Sequence, residues 1–479
     1  MAVDFKKYLL DAVGKEKNAL SEDNLYRDIG FDGDKRRLGW VKPVEFSKIK
    51  KALEDILSIC KDKENFIFIG MGGSINGIKP LLNLFKVKSF YTLDNLDPKA
   101  LFEIIDRIGD KSKTLVIPVS KSGTTKETQL LALSLKNLFA ADSSGIKWQE
   151  HFLWLSDPTA FDKLESLGWS GVKKVPIQFD GDTDIGGRFS SPHTLIFFLP
   201  LFLLLNKDFD KLGKIYDSFI KSQDEAREVA YILAEACKNH PKAYFSPHID
   251  KEFGESLSSW VVQLFQESLG SKMESLPVKT IPNFNNEKFF IVRFDSEIDD
   301  LRAFLMVQMY FFQMFIAYYS ACKKINFVTQ NFVEKYKSEM QRLENNANDQ
   351  SKIRSLDLDG IIEEIKKNIK PYHDFLEVVL YFNPEADFIK NLKIKLKECL
   401  PGKEILIFVG SDWNHQSYQA AFSSEDTFYV LLTKEYRLDI PLMPKAVILK
   451  NIETQIVIAQ ATYLTLADKA LIFSLDKIY

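Results

Sequence analysis

Short apolar blocks that break into glycine-rich or hydroxyl-rich loops, and then into helical periodicity, recur along this chain. Phe66-Ile-Phe-Ile69 runs into Gly70-Met-Gly-Gly-Ser-Ile-Asn-Gly77, and a helix is predicted to begin over Ile78–Leu84. Ser89–Leu93, Thr114–Val119 and Phe152–Ser156 continue the strand–helix alternation. A second series begins at Lys242–Pro247, followed by an apolar helical pattern over Phe253–Ser268, a strand at Phe289–Arg293 and a long apolar helix over Leu301–Cys322. The final third predicts strands at Phe375–Phe382, Glu404–Val409 and Thr427–Thr433, with helices ending at Leu400 and spanning Ile452–Asp468. Such alternation implies an α/β fold of parallel sheets with ligands at the carboxyl ends of the strands.

The pattern also sets expected boundaries. Residues 1–45 look helical and polar and wrap a larger unit; the units that follow are 46–206, 207–370 and a C-terminal α/β segment, 371–479, completing the second lobe. The charged tract Ser338–Ser355 reads as a solvated helix or a linker.

One junction carries the clearest chemistry. Leu115, Val116, Ile117 and Val119 form a buried strand, and Leu130, Leu131, Leu133, Leu135 and Leu138 supply the apolar face of a helix capped by Thr124 or Thr125, with Glu127 in its first turn. Between them lie Ser120, Lys121, Ser122, Gly123, Thr124, Thr125 and Thr128. A helix N-terminus presents backbone N–H groups and a positive dipole end, and small hydroxyls add donors while letting an anion approach, so this loop suits a phosphate. The Gly-x-x-x-x-Gly-Lys-Ser/Thr spacing of a nucleotide-binding loop is absent. Downstream, Asp184-Ile-Gly-Gly-Arg-Phe-Ser-Ser-Pro-His193 sets Arg188 in a glycine-bracketed turn, where it can reach an oxyanion. Gln263 and Glu267, four apart, share one face of their helix, and Glu267 falls in its last turn, where a carboxylate opposes the dipole and therefore suggests a role other than helix stability.

Composition narrows the classes. The chain has 479 residues, 46% hydrophobic, and a net charge of −3, so it can bury substantial cores and offers no overall bias toward nucleic acid or anionic membranes. The apolar stretches Leu195–Leu205 and Phe304–Cys322 are interrupted by Pro200, Gln308 and Gln313 and read as buried helices rather than membrane spans. The N-terminus has no apolar signal core. Cys60, Cys237, Cys322 and Cys399 are scattered, as expected for reduced thiols in the cytoplasm, and neither they nor the six histidines show metal-ligand spacing. No cofactor is expected.

Taken in order, Gly70-Met-Gly-Gly-Ser74, Ser120-Lys-Ser-Gly-Thr-Thr-Lys-Glu-Thr128, Gly186-Gly-Arg-Phe-Ser190, Gln263-Leu-Phe-Gln-Glu-Ser-Leu-Gly-Ser-Lys272 and Ile325-Asn through Val333-Glu resemble the glucose-6-phosphate isomerase (phosphoglucose isomerase) family. The resemblance spans roughly residues 60–340 and implies two sugar-isomerase domains, each a mostly parallel sheet flanked by helices. It implies reversible isomerisation of glucose 6-phosphate and fructose 6-phosphate through an enediol without a metal, in glycolysis and gluconeogenesis, in a cytoplasmic protein that forms homodimers. Residue by residue, Ser120, Ser122, Thr125 and Thr128 would hold the sugar phosphate, with Gly73, Ser74 and Lys121 beside it. Glu267 would be the base, Arg188 would stabilise the enediolate oxygen, Gln263 would position substrate, and Lys337 would lie near the ring oxygen.

Two departures are visible. Asn326-Phe-Val-Thr-Gln-Asn331 lacks both prolines and the aspartate of the family's Asn-Pro-Phe-Asp-Gln-Pro, and no histidine lies between Glu267 and Lys337. His415-Gln-Ser-Tyr-Gln419 resembles the missing His-x-x-Tyr-Gln motif but follows the lysine, an order similar to the isomerase half of transaldolase fusions; His415 is the candidate for ring opening. Two further readings stand: a sugar-phosphate-binding regulator without catalysis, and an isomerase for another hexose phosphate such as mannose 6-phosphate.

Overall fold

The computed structural model describes residues 5–141, 147–270, 276–345, 353–434 and 440–476. Ser271 and Lys272 of the glutamate motif, and residues 346–352 of the charged tract, lie outside them.

The chain opens with two short helices, Phe5–Ala12 and Tyr26–Ile29, and then a hairpin of β1 (Phe31–Asp32) and β2 (Lys35–Arg36). The expectation of a helical N-terminal segment is thus met only in part, because Gly33, in the left-handed region at φ +62°, turns the chain back on itself. Leu9, Tyr26 and Trp40 are buried, so the segment packs on the larger body.

The first sheet contains β3 (Asn65–Ile69), β4 (Phe90–Leu93), β5 (Thr114–Pro118), β6 (Leu153–Ser156) and β7 (Lys173–Pro176), all parallel. Parallel bridges Val116↔Phe152 and Val119↔Leu155 join β5 to β6, giving the order β4-β3-β5-β6-β7. Its three central strands, β3, β5 and β6, are buried on both faces, as parallel crossovers require, while the edge strands β4 and β7 are partly exposed. Phe66 and Phe68 enter one hydrophobic core and Ile67 and Ile69 another.

The second half holds two more parallel sheets. β8 (Ala243–Pro247), β9 (Val278–Thr280) and β10 (Phe290–Val292) form one, in the order β10-β8-β9. β11 (Ser355–Leu356), β12 (Phe375–Leu380), β13 (Glu404–Val409), β14 (Thr427–Thr433) and β15 (Ala470–Leu475) form the other, in the order β11-β15-β14-β12-β13. A buried Lys279–Glu377 pair pins the two together.

Packing explains how the halves become one body. The core that receives Ile67, Ile69 and Val116 also receives Val379, Tyr381 and Leu431 of the C-terminal sheet, through helices Val333–Asn345 and Lys445–Leu466. The first of these carries Val333, Tyr336, Met340 and Leu343 into that core. Its described part is therefore an amphipathic packed helix, where the charge density alone predicts a solvated one.

Helix Leu301–Lys323 is long and apolar enough to cross a membrane, yet it lies in the protein core with nearly its whole length buried. Gln308 donates to the His248 carbonyl at 3.2 Å, and Gln313 donates to the carbonyls of Phe189 at 3.2 Å and Ser191 at 2.8 Å. Helix Leu195–Leu204 is likewise buried. The amide donors of the predicted polar interruptions thus find carbonyls inside the protein.

Candidate active site

Parallel strands deliver their loops to one edge. A cavity of about 300 Å³ there is lined by the loop after β3, the loop after β5, the Gly186–Arg188 turn, helix Ser258–Leu269 and His415. Hairpin residues Asp32, Lys35 and Arg37 close another side.

The carboxylate of Glu267 is engaged through both of its oxygens. Helix Ser258–Leu269 buries all residues from Trp260 to Leu269, so Glu267 is 3% exposed and Gln263 likewise 3%. The Arg188 guanidinium approaches Oε1 at 3.1 Å, Gln330 donates to the same oxygen, and Gln263 donates to Oε2 at 2.9 Å. A buried ion pair persists where its remaining donors are also satisfied. Arg188 meets that condition: it donates to Ser268 Oγ at 2.8 Å and to the carbonyls of Phe327 at 2.5 Å and Thr329 at 3.3 Å. Burial pulls the guanidinium below its ordinary range although Glu267 opposes this.

Two glycine turns meet beside this pair. A Cβ on Gly73 would stand 2.2 Å from the Gly187 carbonyl, so only glycine lets the first-sheet loop touch the turn that carries Arg188. Gly72 has φ +54°, and its N–H donates to Asp412 Oδ1 at 2.6 Å, tying the same loop to the helix that bears His415. Asp412 also accepts from Gln416 and lies 3.9 Å from Lys79.

The hydroxyl loop forms the facing wall. Thr125 is the N-cap residue of helix Lys126–Ala140, but its Oγ1 lies 3.0 Å from Ser120 Oγ instead of capping. Ser122 Oγ accepts from the Thr124 N–H at 3.2 Å and from its hydroxyl at 2.9 Å. Ser122, Thr125, Lys121, Gly73 and Ser74 line the cavity; Ser120 and Thr128 are buried behind it, and Thr128 Oγ1 has no hydrogen-bond partner among the described residues. Burial pushes the Lys121 ammonium down to about 8; Asp157, 3.7 Å away, works against this shift, while Arg37 and Lys35 reinforce it.

His415 stands between two cavities. Its Nε2 lies 3.4 Å from Glu127 Oε1. Burial disfavours charge on both groups, yet their hydrogen bond and mutual attraction prevail: the Glu127 carboxyl sits below its usual range and the His415 imidazole above it. Lys337 lies on the far side, in an adjoining cavity of about 270 Å³ that shares Ser122, Thr125 and His415 with the first. Its side chain is 46% exposed and its ammonium is 2.9 Å from Glu334.

The structure therefore brings Glu267, Arg188, Gln263, Gly73, Ser74, Lys121, Ser122, Thr125 and His415 to one cavity, and leaves Ser120, Thr128 and Lys337 off its surface. Sequence reasoning missed the partnership of Glu127 with His415, the donation from Gln330, the donation from Gln419 to the Glu267 carbonyl, and the hairpin wall. A carboxylate in a hydroxyl-rich first turn was the available signal for Glu127, and it reads equally well as capping.

Fold and cavity together define an α/β protein with a small polar ligand cleft at the carboxyl ends of parallel strands, centred on a buried carboxylate–guanidinium pair. Comparison with known proteins carries this further. Residues 46–217 match the sequence model of the phosphoglucose isomerase family. A glucose-6-phosphate isomerase of Thermus thermophilus is 32% identical over 253 residues, which cover 49% of this chain and 55% of that one. A probable glucose-6-phosphate isomerase of Methanococcus maripaludis is 27% identical over 267 residues, covering 52% and 58%. The chain thus spans about half the length of the curated relatives it matches. A solved hypothetical protein from Thermus thermophilus shares the fold, with a TM-score of 0.51 and 20% identity over 71% of this chain and 94% of that one. Through the segment 46–217, this chain is similar to the phosphoglucose isomerase family.

Proposed function

We propose that this chain interconverts glucose 6-phosphate and fructose 6-phosphate by proton transfer between C1 and C2. One observation carries the reading: a buried carboxylate, kept next to a guanidinium, shares a 300 Å³ cavity with a hydroxyl-rich helix N-terminus. The hydroxyls of Ser122 and Thr125 receive the phosphate, where the helix dipole favours a dianion. His415, paired with Glu127, moves the proton that opens the sugar ring, with Lys337 on the same side as an additional cation.

The Glu267 carboxylate then takes the proton from C2 of the open aldose as the C1 carbonyl oxygen gains charge, the O2 hydroxyl proton passes to O1, and the carboxylic acid returns its proton to C1 to yield the ketose. Arg188 faces the developing oxyanion, and Gln263 and Gln330 hold the carboxylate at a fixed orientation. Placed acid–base groups of this kind contribute about 10²–10⁴-fold, and fixed charge at an oxyanion contributes further.

The test is a coupled assay for fructose 6-phosphate formed from glucose 6-phosphate, run across a panel of hexose phosphates. Glu267→Gln should keep the fold, monitored by circular dichroism, and lower kcat by about 10²–10⁴-fold. Turnover in that variant at the wild-type rate would sink the mechanism. Preference for a different hexose phosphate would reassign the substrate.

A further inference from the structure

The cavity contains a charge that its own residues do not balance. Its lining cations are Lys35, Arg37, Lys121 and Arg188, and its lining acids are Asp32, Asp157 and Glu267. Arg188 pairs with Glu267 at 3.1 Å, Arg37 with Asp32 at 3.0 Å and Lys121 with Asp157 at 3.7 Å. Among the described residues, Lys35 is the lining cation with no acidic partner, and it is exposed. It sits at the mouth of a polar cavity in a chain whose net charge is −3.

The hairpin is fixed so that this lysine stays there. Side chains alternate along a strand. Arg36 therefore points away from its neighbours and grips Asp184 through two bonds, of 3.1 and 2.8 Å. Arg37 donates to the Thr183 carbonyl at 3.0 Å, Gly39 N–H donates to the Asp184 carbonyl at 3.3 Å, and Leu38 bridges Ile185. These bonds lock the hairpin to the segment that leads into Gly186 and Arg188. Lys35 also acts on Lys121 and Asp157, which places it within electrostatic reach of the hydroxyl loop.

We propose that Lys35 is a specificity-determining residue of this cavity: it recruits and contacts the phosphate group of the incoming ligand from the side opposite the hydroxyl loop. An unbalanced cation beside a partly desolvated lysine makes the empty arrangement mutually repulsive, and a dianion bound between them relieves that repulsion. The sugar part of the ligand rests on the isomerase reading above; the phosphate part stands without it.

The experiment compares wild type with Lys35→Ala, Lys35→Glu and Lys35→Arg in the full chain. Steady-state isomerisation is measured at several salt concentrations, and calorimetric titration with inorganic phosphate is run in parallel. Lys35→Ala should raise KM roughly three- to tenfold, with a smaller change in kcat, and should flatten the fall of kcat/KM with added salt. Lys35→Glu should go further in both, and Lys35→Arg should restore most of the loss. A merely structural lysine would leave the salt dependence untouched, and that result overturns the proposal. Should wild type turn over no hexose phosphate, the isomerase reading fails by itself. Phosphate binding that weakens in Lys35→Ala then still supports the role of Lys35, and binding of equal strength in both overturns it.

Discussion

The two facing walls of the cavity are both polar, yet they differ in how their polar atoms are engaged. On the Glu267 wall one carboxylate oxygen is held from distant elements, by Arg188 of a glycine turn and Gln330 of a loop, while Gln263, one turn earlier on the same helix, holds the other. On the Ser122 wall the hydroxyls bond within their own loop, Ser122 with Thr124 and Thr125 with Ser120. Bonds between distant elements fix a group in one place, whereas bonds inside a loop are exchanged at small cost when a better acceptor arrives. The contrast teaches a division of labour: the first wall is organised for chemistry and the second for binding.

Substitutions can break that division in order of expected effect. Arg188→Ala removes the charge that accompanies a buried Glu267, so it should lower kcat by about 10²–10³-fold. Chemical denaturation should show a stability loss of about 3–5 kcal/mol in the same variant, because an uncompensated buried carboxylate remains. A loss confined to KM would contradict the contrast. Thr125→Val on the other wall should raise KM about tenfold, the value of one hydrogen bond to a charged group, with kcat changing less.

The Glu127–His415 pair sharpens the comparison through pH. The His415 pKa is raised in the folded protein, so its contribution to stability is complete below its ordinary pKa, about 6.5, and is lost as pH rises through the raised value. The Glu127 pKa is lowered, so its contribution is present above its ordinary pKa, about 4.3, and is lost as pH falls through the lowered value. Wild type should therefore exceed Glu127→Gln in melting temperature most between about pH 4.3 and 6.5. A difference that is flat with pH in thermal unfolding scans would show that the pair carries no charge. The smallest effect is expected from Lys337→Ala, whose half-exposed ammonium already has Glu334 beside it, and whose loss should change kcat/KM by less than about fivefold in the same coupled assay.

Much of the architecture was legible because the strands are apolar on both faces. Ile67, Phe68, Val116 and Leu155 announce buried parallel strands without help from their neighbours. Among the strands that escaped notice, Lys173–Pro176, Val278–Thr280 and Ser355–Leu356 are short or mixed in polarity, and tertiary pairing rather than local pattern makes them strands. Helix Lys445–Leu466 starts earlier than the periodicity suggests, since Pro444 is its N-cap residue and Lys445, Lys450 and Glu453 blur its apolar face.

The site was legible where local spacing carries information. Gln263 and Glu267 do share a face, because their four-residue spacing on a helix carries that fact, whereas the contact of the Gly73 and Gly187 turns joins distant positions. The hairpin wall and the Glu127–His415 pair join positions far apart in sequence, and no short-range signal encodes such a meeting. Ser120 and Thr128 belong to the same hydroxyl-rich run as Ser122, but helix and strand geometry turns them inward.

The core shared by the first and last sheets bears on how a ribosome makes this protein. Helices Pro98–Arg107 and Lys126–Ala140, which share the core of Ile67 and Val116, emerge soon after them, while helix Lys445–Leu466, which packs against those two helices, is translated much later. Throughout that interval the outer apolar faces of those two helices lack their partner, an invitation to chaperones or to aggregation that a rearranged gene order, with the segment carrying Lys445–Leu466 moved ahead of them, would shorten.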